Sequence, residues 1–255
     1  METIQTIQKD DYLILQMNRP KVNAINQTMI DELRTALAEA QGDDAVRGLI
    51  LSGMPHIFSA GLDVKEIFAY DEAGIRNFFQ TFGLLHKELV QFTKPQICAI
   101  NGHSPAGGTV LAVAADYRIM AEGEKFLIGL NEMAVNIQIT QTLVYAYGFW
   151  LGTSTANEFL LDGKLMDPDE AQACGLVNQV VPQGDVLATA ERQMKKYLAA
   201  HPDIFANTKR KIRKDWLAQL EEGEDQELEE IIRLWWMPSV RERMGALVAS
   251  LSGGK

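Results

Sequence analysis

The chain has 255 residues, 47% hydrophobic and 23% charged, which excludes the disordered and fibrous classes and fits an ordinary folded protein. At this length folding hides roughly 70 to 75% of the surface exposed by the unfolded chain, so the core needs neither metal nor disulfide. Acidic side chains number 34 against 24 Lys plus Arg, and the net charge of -10 opposes non-specific attraction to nucleic acid or anionic lipid.

The opening METIQTIQKDDYLILQMNRP has no basic leader followed by an apolar run, and no later run reaches membrane-spanning length. No membrane or nucleic-acid partner is expected, and a cytoplasmic location follows by default. Residues 3 to 8 and 12 to 18 alternate around Lys9-Asp10-Asp11 and predict a β-hairpin. Asn26 or Thr28 can cap a helix with Met29, Leu33, Leu37 and Ala40 at helical spacing, ended by Gly42. Residues 47 to 53 form a short buried strand, and residues 72 to 92 a helix with Phe78, Phe79, Phe82, Leu85 and Leu89 turned inward.

Beyond Pro95, QICAIN is a strand that runs through NGHSPAGG into the apolar helix TVLAVAAD, and DYRIMA and KFLIG are two further strands. Strands separated by helices imply crossover connections and an α/β architecture. Cys98 and Cys174 lack metal-ligand spacing and read as packing residues. From about residue 141 the pattern is mainly helical, and from His201 it divides into a C-terminal helical region, giving a core of 1–200 and a tail of 201–255. The tail holds KRKIRK at 209 to 214, an acidic run at 221 to 230, and Leu234-Trp235-Trp236-Met237. Both charge runs read as solvated helix faces, and the tryptophans as packing onto a subunit partner or lining for an apolar tunnel.

Two strand-to-helix junctions can carry chemistry. In Asn101-Gly102-His103-Ser104-Pro105-Ala106-Gly107-Gly108, a helix start presents unpaired N–H groups, and glycines leave their approach open. An oxyanion site and a plain tight turn both fit. The segment nearly reproduces G-x-S-x-G, but Pro105 has no N–H for the oxyanion, so Ser104 is not read as a nucleophile and His103 is read as a core-edge residue. Phe58-Ser59-Ala60-Gly61-Leu62-Asp63-Val64-Lys65-Glu66 lies at a similar junction, and the two could aim paired N–H groups at one oxygen.

These blocks, with NRPKVNAIN, KPQICAINGHSPAGG, IGLNE and GKLMDPDEAQACGLVNQVV, resemble the crotonase, or enoyl-CoA hydratase/isomerase, superfamily over nearly the whole chain. The resemblance implies a spiral of ββα units with a C-terminal helical region that covers the active site and oligomerises, as a homotrimer or a dimer of trimers. It implies an acyl-CoA thioester as substrate, with coenzyme A part of that substrate and no separate cofactor or metal. The N–H groups of Ala60 and Gly107 would hold the thioester oxygen. Arg19, Lys21 and Lys65 would face the coenzyme's phosphates, and Val22, Ala24, Ser59, Ala60, Leu62, Asp63, Gly107 and Gly108 would form the rest of the binding surface. Lys209 or Lys211 would reach a neighbour's coenzyme.

Family hydratases use two glutamates, and at the corresponding positions this chain has Val110 and Glu132. A lone carboxylate suits proton transfer from C2 to C4, the Δ3-to-Δ2 isomerisation, better than addition of water. The wording S-P-A-G-G and I-G-L-N-E is most similar to Δ3,Δ2-enoyl-CoA isomerases, although Asn136 stands where the pattern has glycine. Neighbours such as Leu130, Met133, Val135 and Ile137 should raise the Glu132 pKa by desolvation. Asp63 and Asp116 read as structural acids and Asp162 as lying near the acyl end. The alternatives are hydration or decarboxylation of an acyl-CoA or carrier-bound acyl group, or a non-catalytic acyl-CoA- or RNA-binding protein.

Overall fold

A computed structural model describes residues 1–220 and 224–253. The predicted hairpin forms as β1 (Ile4–Gln8) and β2 (Leu13–Met17), paired antiparallel. Every later strand of the main sheet joins in parallel: β3 (Leu49–Ser52), then β5 (Gln96–Ile100), β7 (Tyr117–Ala121) and β9 (Gln179–Val181), in the order β1-β2-β3-β5-β7-β9. Parallel neighbours require crossovers, and the helices between the strands supply them. A second, three-stranded sheet joins β4 (His56–Ile57), β6 (Gly102–Pro105) and β8 (Ile128–Gly129), all parallel. Where the sequence reads as a tight turn at NGHSP and a strand over 125–129, the structure has the full strand β6 and only two residues of β8.

Both faces of the main sheet are covered, which is why its strands read as unbroken apolar runs. Leu13, Leu15, Leu49, Leu51, Cys98 and Ile100 enter one core, under α1 (Gln27–Gly42) and α3 (Glu72–Gln91). The alternate residues Ile14, Ile50, Ile97 and Ala99 face α9 (Val186–Leu198), which contributes Val186, Ala190 and Met194. Helix α1 starts as expected, with the Asn26 side chain accepting from the Met29 N–H at 3.1 Å. The inward positions of α3 hold for Phe78, Leu85 and Leu89, while Phe79 and Phe82 are only partly buried.

Short helices flank the small sheet: α2 (Val64–Phe68), α4 (Gly107–Val113) and α5 (Glu132–Val135). The helical half follows as α6 (Gln141–Leu151), α7 (Thr153–Asp162) and α8 (Pro168–Ala173), the last opened by a capping box on Asp167 and Glu170. The tail contributes α10 (Pro202–Ile212), α11 (Lys214–Gln219), α12 (Glu224–Trp235) and α13 (Pro238–Gly253). Helix α12 packs on α3. No described helix is long and apolar enough to cross a membrane.

The basic run is a solvated face only in part: Arg210, Lys211 and Lys214 are exposed, but two of its cations are buried. Lys209 and Arg213, 7% and 3% exposed, both bind the Asp116 carboxylate at 2.8 Å. The same carboxylate accepts the Gln96 N–H at 2.8 Å, so Asp116 ties β5 and the end of α4 to the tail, which is the structural role expected of it. Lys209, held inside the protein, is therefore not placed to reach a neighbour's coenzyme, and the surface charge an RNA-binding run needs is reduced. In the acidic run, residues 221–223 lie outside the described residues. Beyond them Glu227 accepts the Gln141 N–H at 2.6 Å and Glu229 pairs with Arg76, so this run also fastens α12 to the body. Trp235 is buried within the chain, its ring 5.6 Å from that of Phe79 and edge-on to it.

Candidate active site

The two junctions meet. Residues 22–26 run alongside 58–63 and are joined to them by buried bonds: Asn23 Nδ2 donates to the Phe58 carbonyl at 3.1 Å, Ser59 Oγ to the Asn23 carbonyl at 2.7 Å, and the Ile25 N–H to the Gly61 carbonyl at 2.8 Å. Gly108 lies against this pair, since a Cβ there would stand 3.0 Å from both the Ser59 carbonyl oxygen and Ser104 Oγ. The glycine is needed for packing at that point, and Gly108 does not face the cavity as expected.

A cavity of about 250 Å³ opens in front of this junction. Ala60, Leu62, Gly107, Val110 and Glu132 all line it, although they come from three separate stretches of the chain. The backbone turns into α4 at Ala106, a non-glycine residue at φ 46° that gives the helix no side-chain cap. Left-handed geometry at such a residue is costly and marks a functional site more often than a plain turn. Gly107 is the first residue of α4, so its N–H has no acceptor within the helix. The second expected donor is engaged, because the Ala60 N–H donates to the Val22 carbonyl at 3.0 Å. An oxyanion taking both amides has to displace or share that bond.

Glu132 opens α5 and is only 6% exposed. Its Oε2 has no hydrogen-bond partner among the described residues, and burial pushes its pKa from 4.5 up to about 7. The apolar surroundings are those expected, with Leu130 fully buried and Val135 and Ile137 on the cavity wall, except for Met133, which points to solvent at 53% exposure. Val110 is 3% exposed and supplies no acid. Asp225 and Glu227 of α12 also border the cavity, the first exposed and the second half-buried, so Glu132 is the buried carboxylate there.

Asn136 resolves the departure from the family pattern. It sits at φ 59° and ψ 38°, the left-handed conformation that glycine adopts freely and asparagine tolerates best among the others. His103 is a core-edge residue whose Nδ1 accepts the Leu127 N–H at 3.3 Å, and Ser104 Oγ is buried and Ser104 does not line the cavity, which fits its not being a nucleophile.

The outer binding set needs correction. Arg19 is not a free cation: its guanidinium pairs with Asp63 at 2.8 Å and Glu66 at 3.3 Å and donates to the Ala24 carbonyl at 2.9 Å. Asp63 is occupied as well, capping α2 by accepting the Glu66 N–H at 3.1 Å. Ser59 is wholly buried and serves the junction, accepting the Gly61 N–H at 3.1 Å. Lys65 Nζ donates to the Leu251 carbonyl at 2.6 Å, while Lys21 and Val22 are exposed. Phe82 lines the cavity, whereas Trp235 and Trp236 do not. Neither does Asp162, at the end of α7. Sequence reasoning missed His86, whose Nδ1 lies 3.0 Å from the Val110 carbonyl and whose ring borders the cavity; burial lowers its pKa to about 4, so it is neutral.

Comparison with known proteins identifies the family and the fold. Residues 9–244 match the family model described as Enoyl-CoA hydratase/isomerase. The chain is 35% identical over 202 residues to the mitochondrial enoyl-CoA delta isomerase 1 of Mus musculus, covering 79% of this chain and 70% of the relative. It is 32% identical over 196 residues to a probable enoyl-CoA hydratase of Mycobacterium bovis, covering 74% and 72%. The crystal structure of human mitochondrial delta3-delta2-enoyl-CoA isomerase superposes with a TM-score of 0.95 at 28% identity, over 98% of each chain. The chain belongs to the enoyl-CoA hydratase/isomerase family and has its crotonase fold.

Proposed function

We propose that this protein is an enoyl-CoA isomerase that moves a double bond from C3–C4 to C2–C3 of an acyl-CoA. The observation that carries the reading is the single buried carboxylate among the described residues, Glu132, on a cavity whose other family acid position is Val110. Glu132 takes a proton from C2, and the electrons of that C–H bond pass into a dienolate with its charge on the thioester oxygen. The Gly107 N–H stabilises that charge, while the Ala60 N–H stays bonded to the Val22 carbonyl. The protonated Glu132 then delivers the same proton to C4, leaving the double bond conjugated with the carbonyl. A pKa near 7 suits a group that must both accept and return a proton at neutral pH.

The tail from residue 201 is read as the cover of the site, since α12 gives Leu228 and Ile231 to the cavity wall. The coenzyme enters as part of the substrate, and the assembly is proposed as a homotrimer or dimer of trimers, to be measured by sedimentation. Hydration is the second reading, favoured by the Mycobacterium bovis relative. The test is incubation with a 3-enoyl-CoA thioester, following the conjugated product, beside a 2-enoyl-CoA in water. Formation of 3-hydroxyacyl-CoA with no bond migration would reject the isomerase reading.

A further inference from the structure

The carboxylate rests on a weakly built support. Strand β8 is two residues long, α5 is four, and the Asn131 N-cap makes no side-chain cap bond. Such short elements do not hold a side chain to the fraction of an ångström that proton transfer requires. Paired backbone bonds between Ile128 and Met166 hold the start of the segment, and two buried hydroxyls on other helices hold the residues that follow. Thr109 Oγ1, in α4, accepts the Gly129 N–H at 2.9 Å and donates to the Ser104 carbonyl at 2.5 Å. Tyr147 Oη, in α6, accepts the Leu130 N–H at 2.8 Å. Thr109 and Tyr147 are each 0% exposed. The Ala106 N–H adds a further tie, donating to the Gly129 carbonyl at 2.8 Å.

Both hydroxyls therefore act on the residues that lead directly into Glu132. Thr109 also lies two residues after Gly107 on the same helix, so one side chain couples the segment carrying the base to the helix presenting the amide. We infer that Tyr147 is a positioning residue, which with Thr109 fixes Glu132 relative to the Gly107 N–H. This rests on the reading of Glu132 as the base given above. Without the Tyr147 hydroxyl, the Leu130 N–H is buried with no acceptor, and residues 130–132 must shift to find one. Burial keeps the phenol protonated well beyond the physiological range, so it serves as a fixed neutral dipole.

The test compares Tyr147→Phe with wild type in steady-state kinetics on a 3-enoyl-CoA across pH. The expected result is a roughly 10- to 100-fold fall in kcat, with KM held within about threefold. The acid-side midpoint should also move down from about 7 towards the ordinary carboxylate range as the loosened carboxylate gains water. Wild-type kcat and midpoint in a folded Tyr147→Phe protein, even one with a lower Tm, would overturn the inference. If Tyr147→Phe does not fold, Thr109 decides: Thr109→Val should lose at least about tenfold in kcat and Thr109→Ser should recover most of it. Equal, wild-type kcat in both would overturn it. Glu132→Gln measured in parallel separates the two levels. A fully active Glu132→Gln removes the underlying reading and this inference with it, whereas an inactive Glu132→Gln beside a normal Tyr147→Phe removes the inference alone.

Discussion

Asp116 and Glu132 are both largely withdrawn from water, and their surroundings could hardly differ more. Asp116 receives an ammonium, a guanidinium and a backbone N–H, each at 2.8 Å. Glu132 has apolar walls and an oxygen without a partner, and its pKa rises accordingly. A buried carboxylate whose oxygens are taken up by cations and a backbone N–H holds structure together. One left unmatched can exchange a proton at neutral pH, and it carries the cost of burial for that capacity.

The contrast can be broken at either residue. The largest effect is expected from Glu132→Gln, which should lower turnover by roughly 100-fold to 10,000-fold while leaving the fold intact. Turnover within a few-fold of wild type would remove the carboxylate from the chemistry. Asp116→Asn should act on stability instead, because Lys209 and Arg213 are left buried without an anion. Urea unfolding should show a loss of roughly 3 to 5 kcal/mol, and a loss under about 1 kcal/mol would mean the cluster relaxes to solvent.

The pH dependence sharpens the same contrast. The folded-state pKa of Glu132 is raised from 4.5 to about 7, so the native state holds this proton more tightly than the unfolded chain. Its contribution is therefore present below about pH 4.5 and is lost as pH rises to about 7. Above that range Glu132→Gln should be more stable than wild type by roughly 3 kcal/mol, with no such gain at pH 4. Denaturant midpoints at the two pH values measure the difference. On the kinetic side, kcat/KM should fall about tenfold per pH unit below the midpoint, as the base becomes protonated. The smallest effect belongs to Asn136→Gly, which keeps the left-handed turn after α5 and should alter stability by less than about 1 kcal/mol.

Much of this was legible in the sequence because it is local. The apolar runs of β3 and β5, the Asn26 cap and the inward stripe of α3 are all written within a few residues. Glu132 and Gly107 were found through motif resemblance, and the desolvation of Glu132 through its apolar neighbours. The small sheet was legible only in part: KFLIG contains β8, but His56–Ile57 is too short to show alternation and Gly102–Pro105 reads as a turn. The buried cations were missed for another reason. Lys209 and Arg213 look like a surface stripe until Asp116, more than 90 residues earlier, is brought beneath them. Thr109 and Tyr147 gave no signal, because the partners of their hydroxyls are backbone N–H groups that every residue but proline possesses.

The ionic knot at Asp116 also limits how the polypeptide can be divided. Composition suggests a boundary near residue 200, yet a polypeptide ending there would lose both counter-ions of a carboxylate lodged at the foot of the helix that presents the Gly107 amide. Trimming, grafting or swapping of the final fifth would thus disturb the reaction centre from behind.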